Sequence, residues 1–234
     1  MTKAVVITGG SKGIGRKALE VFRDLDYRPF NISRTSARLD QVTDLCCDLA
    51  DPDAINALAT PLQNHLAGME KVVLVHNAGL LRKDRVDDVP PDEFRRVMQV
   101  NVLAPAALNQ LVLPHMQPGS AILYISSTLG HKAVAGSCSY VTSKHALIGL
   151  MRSTCQDLAG RGIHTTAICP GFTDTEMLRD HVGNDEAVLQ SIASMQTLGR
   201  LIQPEEQART ILFCAENPVL NGAVLDSHLG QIES

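Results

Sequence analysis

Short apolar runs of strand length alternate with helical patterns from one end of this chain to the other. Ala4–Thr8 reads as a first strand and Ile14–Leu25 as the helix after it. Pro29–Ser33 is a second strand, and a short third one ends near Cys46–Cys47. Asp51–His65 carries a helical pattern, with Pro52 early in it, where a missing N–H does little harm. Lys71–Val75 is a strand of the fully buried kind, and Pro91–Met116 is a long helical pattern interrupted at Pro105. The strands Ala121–Ile125 and Ile163–Cys169 enclose a helix over Ser139–Ala159. Glu186–Met195, a helix over Glu205–Ala215 and a strand near Ala223–Asp226 close the pattern. Repeated strand–helix–strand units require a parallel sheet with helices on both faces, because parallel neighbours need a crossover. The expectation is an α/β, Rossmann-like doubly wound sheet of about seven strands. Ligands in such sheets bind at the carboxyl ends of the strands, so the loops after strands one, two, four, five and six are the candidate site.

Composition narrows the function class. No linker or composition break divides residues 1–234, so one domain is expected. Aromatic residues make up only 3% and Trp is absent, so the core must come from Val, Ile, Leu, Ala and Met. A net charge of −4 with no basic run gives nucleic acid no footing. The six cysteines lack metal-ligand spacing and no histidine pair has zincin spacing, so no metal is expected. No run of 18 apolar residues predicts a membrane span. The N-terminus runs straight into a strand without a leader, and a reducing cytoplasm is the simplest compartment.

Two constellations carry chemistry. The first strand runs directly into Thr8-Gly9-Gly10-Ser11-Lys12-Gly13-Ile14-Gly15. Glycines at 9, 13 and 15 allow a tight turn and let backbone N–H groups approach a pyrophosphate, which the helix N-terminus also attracts. The spacing differs from the common Gly-x-Gly-x-x-Gly fingerprint, and an ordinary strand–helix turn is the plain alternative. The second constellation is Tyr140 and Lys144, one helical turn apart in Ser139–His145. A cation beside a phenol favours the phenolate, which predicts a proton donor of lowered pKa. By itself the pair is weak, since chance alone produces a Tyr-x-x-x-Lys roughly one time in ten here.

Together these residues resemble the short-chain dehydrogenase/reductase family. Thr8-Gly-x-x-x-Gly-x-Gly15 is similar to that family's cofactor loop, and further landmarks follow in order. Asp48 and Leu49 come after the third strand, Asn77-Ala78-Gly79 after the fourth, and Asn101 within the next helix. Ser127 precedes Tyr140 by 13 residues, and Pro170-Gly171 follows the sixth strand with Thr173 and Thr175 beyond it. The resemblance implies that Tyr140 donates a proton to a carbonyl taking hydride. It implies that Ser127 polarises the substrate oxygen, that Lys144 holds the nicotinamide ribose, and that Asn101 anchors a relay water at a local helix break. It implies cofactor contacts from Gly9, Ser11, Lys12, Gly13, Ile14, Gly15, Asp48, Leu49, Asn77, Ala78, Gly79, Tyr140, Lys144, Pro170, Gly171, Thr173 and Thr175. Some positions admit a plainer role. Ser126 competes with Ser127 as the strand-end residue, and Thr175 suits a helix cap as well as a carboxamide ligand.

At the end of the second strand Ser33 stands where an NAD-selective site carries an acid, and Arg34 follows. With Lys12 in the glycine loop, no carboxylate opposes a 2′-phosphate, so NADP(H) is expected over NAD(H). The segment Thr173–Leu201 corresponds to the family's substrate lid, with Met177, Leu178, Met195 and Leu198 suiting an apolar substrate. Pro170–Thr175 and Gly199-Arg200 resemble the 3-oxoacyl-carrier-protein reductase branch, and Arg179 is a candidate contact for an acidic carrier. The ending Asp226-Ser-His-Leu-Gly230 departs from that branch's Asp-Gly-Gly. His131 is a candidate substrate contact, and His76 a structural residue. The partners implied are a small carbonyl or alcohol and further copies of the chain, as a homodimer or homotetramer. The rival from another class is a non-catalytic NADP(H)-binding regulator on the same fold.

Overall fold

A computed structural model describes residues 2–232. Among these residues, seven parallel strands form one sheet in the order β3-β2-β1-β4-β5-β6-β7. The strands are β1 (Lys3–Thr8), β2 (Tyr27–Ser33), β3 (Thr43–Cys46), β4 (Lys71–His76), β5 (Ala121–Ile125), β6 (His164–Pro170) and β7 (Val224–Ser227). The first helices are α1 (Gly13–Arg23), α2 (Pro52–Asn56), α3 (Ala59–Leu66), α4 (Pro91–Met98) and α5 (Ala104–Val112). They are followed by α6 (Cys138–Asp157), α7 (Glu176–Val182), α8 (Glu186–Ser194) and α9 (Pro204–Glu216). The doubly wound sheet expected from the alternating pattern is therefore present.

The period-2 geometry of the strands sorts their side chains between two cores. Ala4, Val6, Val72, Leu74, Ile122 and Tyr124 face a core completed by α2, α3, α5 and α6. Val5, Ile7, Val73, Val75, Ala121 and Leu123 face the opposite core, closed by α1 and α9. Burial on both faces explains why these strands read as unbroken apolar runs. The chain leaves β1 toward β2 and β3, then returns to place β4 on the other side of β1. That reversal opens a crevice at the carboxyl ends of β1 and β4.

Two helices depart from the sequence expectation, for one reason. Asp51–His65 is not continuous: it splits after Asn56 and resumes at Ala59. Pro61 has no N–H for the Ala57 carbonyl and its ring crowds that carbonyl. Likewise Pro105 lies in the first turn of α5, and the irregularity sits one turn upstream, as a π-helical segment over Gln99–Leu103. There Ala104 N–H reaches back five residues to Gln99 O. The interruption thus centres on Asn101, residue i−4 of the proline, where the family resemblance expects a helix break, and not on the proline itself. The continuous stretch Pro91–His115 is long and apolar enough to cross a membrane by length and composition. Its Asn101 and Asn109 are buried and bonded to Ser143 and Tyr124.

The helix is pinned through a buried polar chain. His76 Nε2 lies 2.8 Å from Asn109 Oδ1, and Asn109 Nδ2 donates to Tyr124 Oη at 2.7 Å. Tyr124 Oη lies 3.0 Å from Thr154 Oγ1, which donates to Leu150 O at 2.8 Å. One direction of donation satisfies every link, and it assigns the His76 proton to Nε2. Burial holds the His76 imidazole down to about 4, against which the Asn109 hydrogen bond acts only weakly. The unfolded chain then binds a proton that the folded chain refuses between pH 6.5 and about 4. Folding stability is therefore complete above 6.5 and falls as pH drops, by roughly 3 kcal/mol at the low end. Urea unfolding at pH 7 and pH 4.5 should show wild type losing roughly 2–3 kcal/mol more than His76→Gln; equal losses would contradict this assignment.

Candidate active site

The crevice is built on a backbone lock between β1 and β4. Asn77 Nδ2 donates to Thr8 O at 2.9 Å and Gly9 O at 3.1 Å. Thr8 Oγ1 in turn accepts the N–H groups of Asn77 and Ala78, both at 3.0 Å. Gly10 N–H donates to Asn31 Oδ1 at 2.9 Å, tying the loop to β2. Gly9 and Gly13 adopt φ of 70° and 56°, which side chains rarely tolerate. A Cβ on Gly15 would stand 2.4 Å from Asn77 Nδ2 and 2.5 Å from Gly9 O. Helix α1 opens with no capping side chain and no acid in its first turn. Its first N–H groups and dipole are left for an anion. These features fit a dinucleotide's pyrophosphate.

Helix α6 delivers the second constellation. Its first turn is held by Asp84, which accepts from Ser139 N at 3.0 Å and from the Ser139 hydroxyl. Lys144 is buried and donates from Nζ to Ile125 O at 2.8 Å, at the end of β5. Its Nζ lies 5.4 Å from the centre of the Tyr140 ring. Ser126 is buried and donates to Lys144 O at 3.1 Å. Ser127 is more accessible, accepts from Leu129 N at 3.1 Å, and hydrogen-bonds Tyr140. A Cβ on Gly79 would lie 3.6 Å from Lys144 Nζ, 4.0 Å from Asn101 Oδ1 and 4.0 Å from Met177 Cε. Ser127, Tyr140, Lys144, Gly79 and Asn101 therefore converge on one end of the crevice.

The expected lowering of the Tyr140 pKa is reversed in this state. Burial pushes its phenol up to about 12, and the Ser127 hydrogen bond only partly opposes this. Burial holds the Lys144 ammonium down to about 8. Desolvation outweighs the ammonium's influence on the phenol because Nζ points to Ile125 O, not to the hydroxyl.

Several other residues do work that their motif alone does not specify. Asn101 spends its side chain on Leu80, accepting from N at 2.7 Å and donating to O at 3.1 Å, and on Ser143 Oγ at 2.9 Å. Leu49 packs its side chain into the core and Asp48 accepts from Ala50 N at 3.0 Å. Thr175 caps α7 through Leu178 N at 3.3 Å, and its methyl would meet a Cβ on Gly13 at 3.3 Å. Thr173 donates to Gly171 O at 3.1 Å, and Gly171 packs against His228 so closely that a Cβ would stand 2.6 Å from it. Arg179 is not free for an acidic carrier. It grips Asp174 at 2.6 and 3.0 Å and Glu186 at 3.0 Å. Arg34 and Lys12 are exposed and have no ion pair among the described residues.

Sequence reasoning missed Asn31, Asp44, Asp84 and Ser143. Asp44 Oδ1 accepts from Asn31 Nδ2 at 2.7 Å and Ala37 N at 2.9 Å, and so shapes the loop carrying Arg34. Asp84 acts 55 residues away from its partner, at a separation no local pattern reveals. A cavity of about 490 Å³ lined by Arg23, Arg28, Thr43 and His65 opens at the amino ends of β2 and β3, far from this chemistry.

The chain is similar to known proteins in sequence and in fold. The family model described as enoyl-(acyl carrier protein) reductase matches residues 21–227. The chain is 32% identical to carbonyl reductase family member 4 of Xenopus tropicalis, over 96% of each chain. It is 29% identical to the 3-oxoacyl-[acyl-carrier-protein] reductase FabG of Thermotoga maritima, over 95% of each. Among solved structures, ElxO with NADP bound superposes with a TM-score of 0.87 at 28% identity, covering 98% of both chains. A 4-hydroxyisoleucine dehydrogenase mutant complexed with NADH and succinate gives 0.88 at 25% identity, again over 98% of both.

The crowding at Gly15 generates a direct expectation. Gly15→Ala should displace Asn77 and weaken NADPH binding by about tenfold or more. Gly149→Ala, where a Cβ meets nothing within 4 Å, should leave binding unchanged. Fluorescence titration of both variants checks this, and equal affinities would refute the packing argument.

Proposed function

The chain belongs to the short-chain dehydrogenase/reductase family of oxidoreductases, and we propose that it interconverts a carbonyl and a secondary alcohol using NADP(H). The observation that carries this reading is the convergence of Ser127, Tyr140 and Lys144 beside Gly79, at the carboxyl ends of β4 and β5. A bound nicotinamide supplies or removes the hydride. The glycine loop and the α1 N-terminus would hold its pyrophosphate, and Lys144 would hold the ribose next to it. Ser127 donates to the substrate oxygen and orients it. Tyr140, fully protonated at neutral pH with its phenol pushed up to about 12, gives that oxygen its proton as negative charge develops. In the reverse direction the same hydroxyl must lose its proton. Lys144 and the positive charge of an oxidised cofactor both favour that loss. Asn101 fixes Leu80 and the π-turn beside Lys144.

Ser33 and the unpaired Arg34 and Lys12 support NADP(H) over NAD(H); relatives of this fold carry either cofactor. Met177 reaches over Gly79, and Leu198 and Met195 are exposed on the same lid segment, which supports an apolar substrate component. A homo-oligomer would form through the long helical stretch α4–α5 and through α6, and Leu103, 53% exposed, offers an apolar contact on the first of these.

Tyr140→Phe should keep NADPH affinity and lower kcat for carbonyl reduction by about 10²–10⁴-fold. Equal residual rates in mutant and wild type would refute Tyr140 as the acid. For the cofactor, Arg34→Ala should lower the NADPH specificity constant by about tenfold and leave NADH nearly unchanged. A wild-type preference for NADH would overturn the NADP(H) assignment.

A further inference from the structure

Beside Ser127, toward the carboxyl ends of β6 and β7, three ligand-type atoms meet. A ring nitrogen of His131, Cys169 Sγ and a carboxylate oxygen of Asp226 all lie within 4.8 Å of one another. Each comes from a neighbouring part of the sheet. His131 follows the short turn Thr128–Gly130 after β5, Cys169 lies in β6, and Asp226 lies in β7. Cys169 and Asp226 are register partners in the β6–β7 ladder, so the sheet itself fixes two of the three. His131 Nε2 already stands 3.2 Å from Asp226 Oδ1.

We propose that His131, Cys169 and Asp226 form a binding site for a divalent metal of the zinc class. Tetrahedral zinc bonds of about 2.0–2.3 Å place neighbouring ligand atoms roughly 3.3–3.6 Å apart. The His131–Asp226 pair, at 3.2 Å, is close to that spacing; Cys169 is fully buried and stands up to 4.8 Å from its neighbours, so the exposed His131 and Asp226 side chains must move toward it. One nitrogen, one sulfur and one oxygen suit zinc or cobalt and not magnesium or calcium. Three protein ligands leave the fourth position to water or an added ligand. The metal bonds Nε2 of the neutral imidazole tautomer that carries its single proton on Nδ1; a proton previously on Nε2 passes to solvent, from which Nδ1 takes one. The Cys169 thiol gives its proton to solvent as the S–metal bond forms. Burial pushes the Cys169 thiol up to about 11 and Asp226 adds to this, whereas the Ser127 N–H, the Ser126 hydroxyl and the Lys144 ammonium favour the thiolate. A dication offsets the Asp226 contribution. The site carries no duty in the proposed hydride chemistry, although its cysteine backs directly onto Ser127.

Cobalt(II) titration of the reduced full-length protein tests this. One equivalent should produce a thiolate-to-cobalt charge-transfer band with tetrahedral visible absorption, and zinc should abolish both. His131→Ala and Asp226→Asn change part-exposed side chains and should each weaken zinc binding at least about tenfold by competition dialysis. Cys169→Ser should remove the charge-transfer band. Absence of that band in the folded wild type, or zinc affinity unchanged in His131→Ala and Asp226→Asn, would overturn the site.

Discussion

Everything at the candidate site hangs on the clasp between the ends of β1 and β4. These strands are neighbours in the sheet, yet their following loops depart toward opposite faces, so the backbone groups at the split have no ladder partners. Asn77 and Thr8 supply them, with one amide donating to two carbonyls and one hydroxyl accepting two N–H groups. The clasp leaves no space for a side chain at Gly15 and sets the height of the α1 N-terminus above the sheet. It also delivers Gly79 beside Lys144. The anion cradle and the reacting cluster are thus two ends of one hydrogen-bonded corner.

The second half of the site depends on how α6 is seated. A helix carrying a buried ammonium needs partners for it, and Lys144 finds one in the Ile125 carbonyl at the end of β5. Ser126 returns a bond to the Lys144 carbonyl, and Asp84 holds the helix start. The cost is a phenol kept neutral by desolvation and an ammonium held down to about 8. That combination suits a proton donor in the resting protein. It makes the reverse role conditional on added positive charge, which an oxidised nicotinamide carries.

The sheet was legible because each strand is buried on both faces and so appears as an uninterrupted apolar run. The glycine loop and the Tyr140–Lys144 turn were legible because their spacing is local. What escaped depended on distance or on displacement along the chain. Pro61 perturbs a carbonyl four residues upstream, so that break falls at Ala57; the break at Asn101 was expected from the family resemblance, but not as the work of Pro105. Asp84, Asp44 and Ser143 act on partners brought close only by folding. Arg179 looked like a surface cation, but Asp174 and Glu186 occupy its guanidinium. The Tyr140 pKa went astray because adjacency to a lysine in a helix says nothing of where Nζ points.

The most direct test of the account is isotope transfer. The protein would be incubated with NADPH deuterated at the transferred C4 position and a panel of apolar ketones, and the alcohols analysed by mass spectrometry. The account predicts one deuterium at the carbinol carbon of at least one product, and none when Tyr140→Phe replaces the wild type over the same interval. Tight NADPH binding with no deuterium transferred to any carbonyl across a broad panel would contradict it, and would favour a cofactor-binding protein without hydride chemistry.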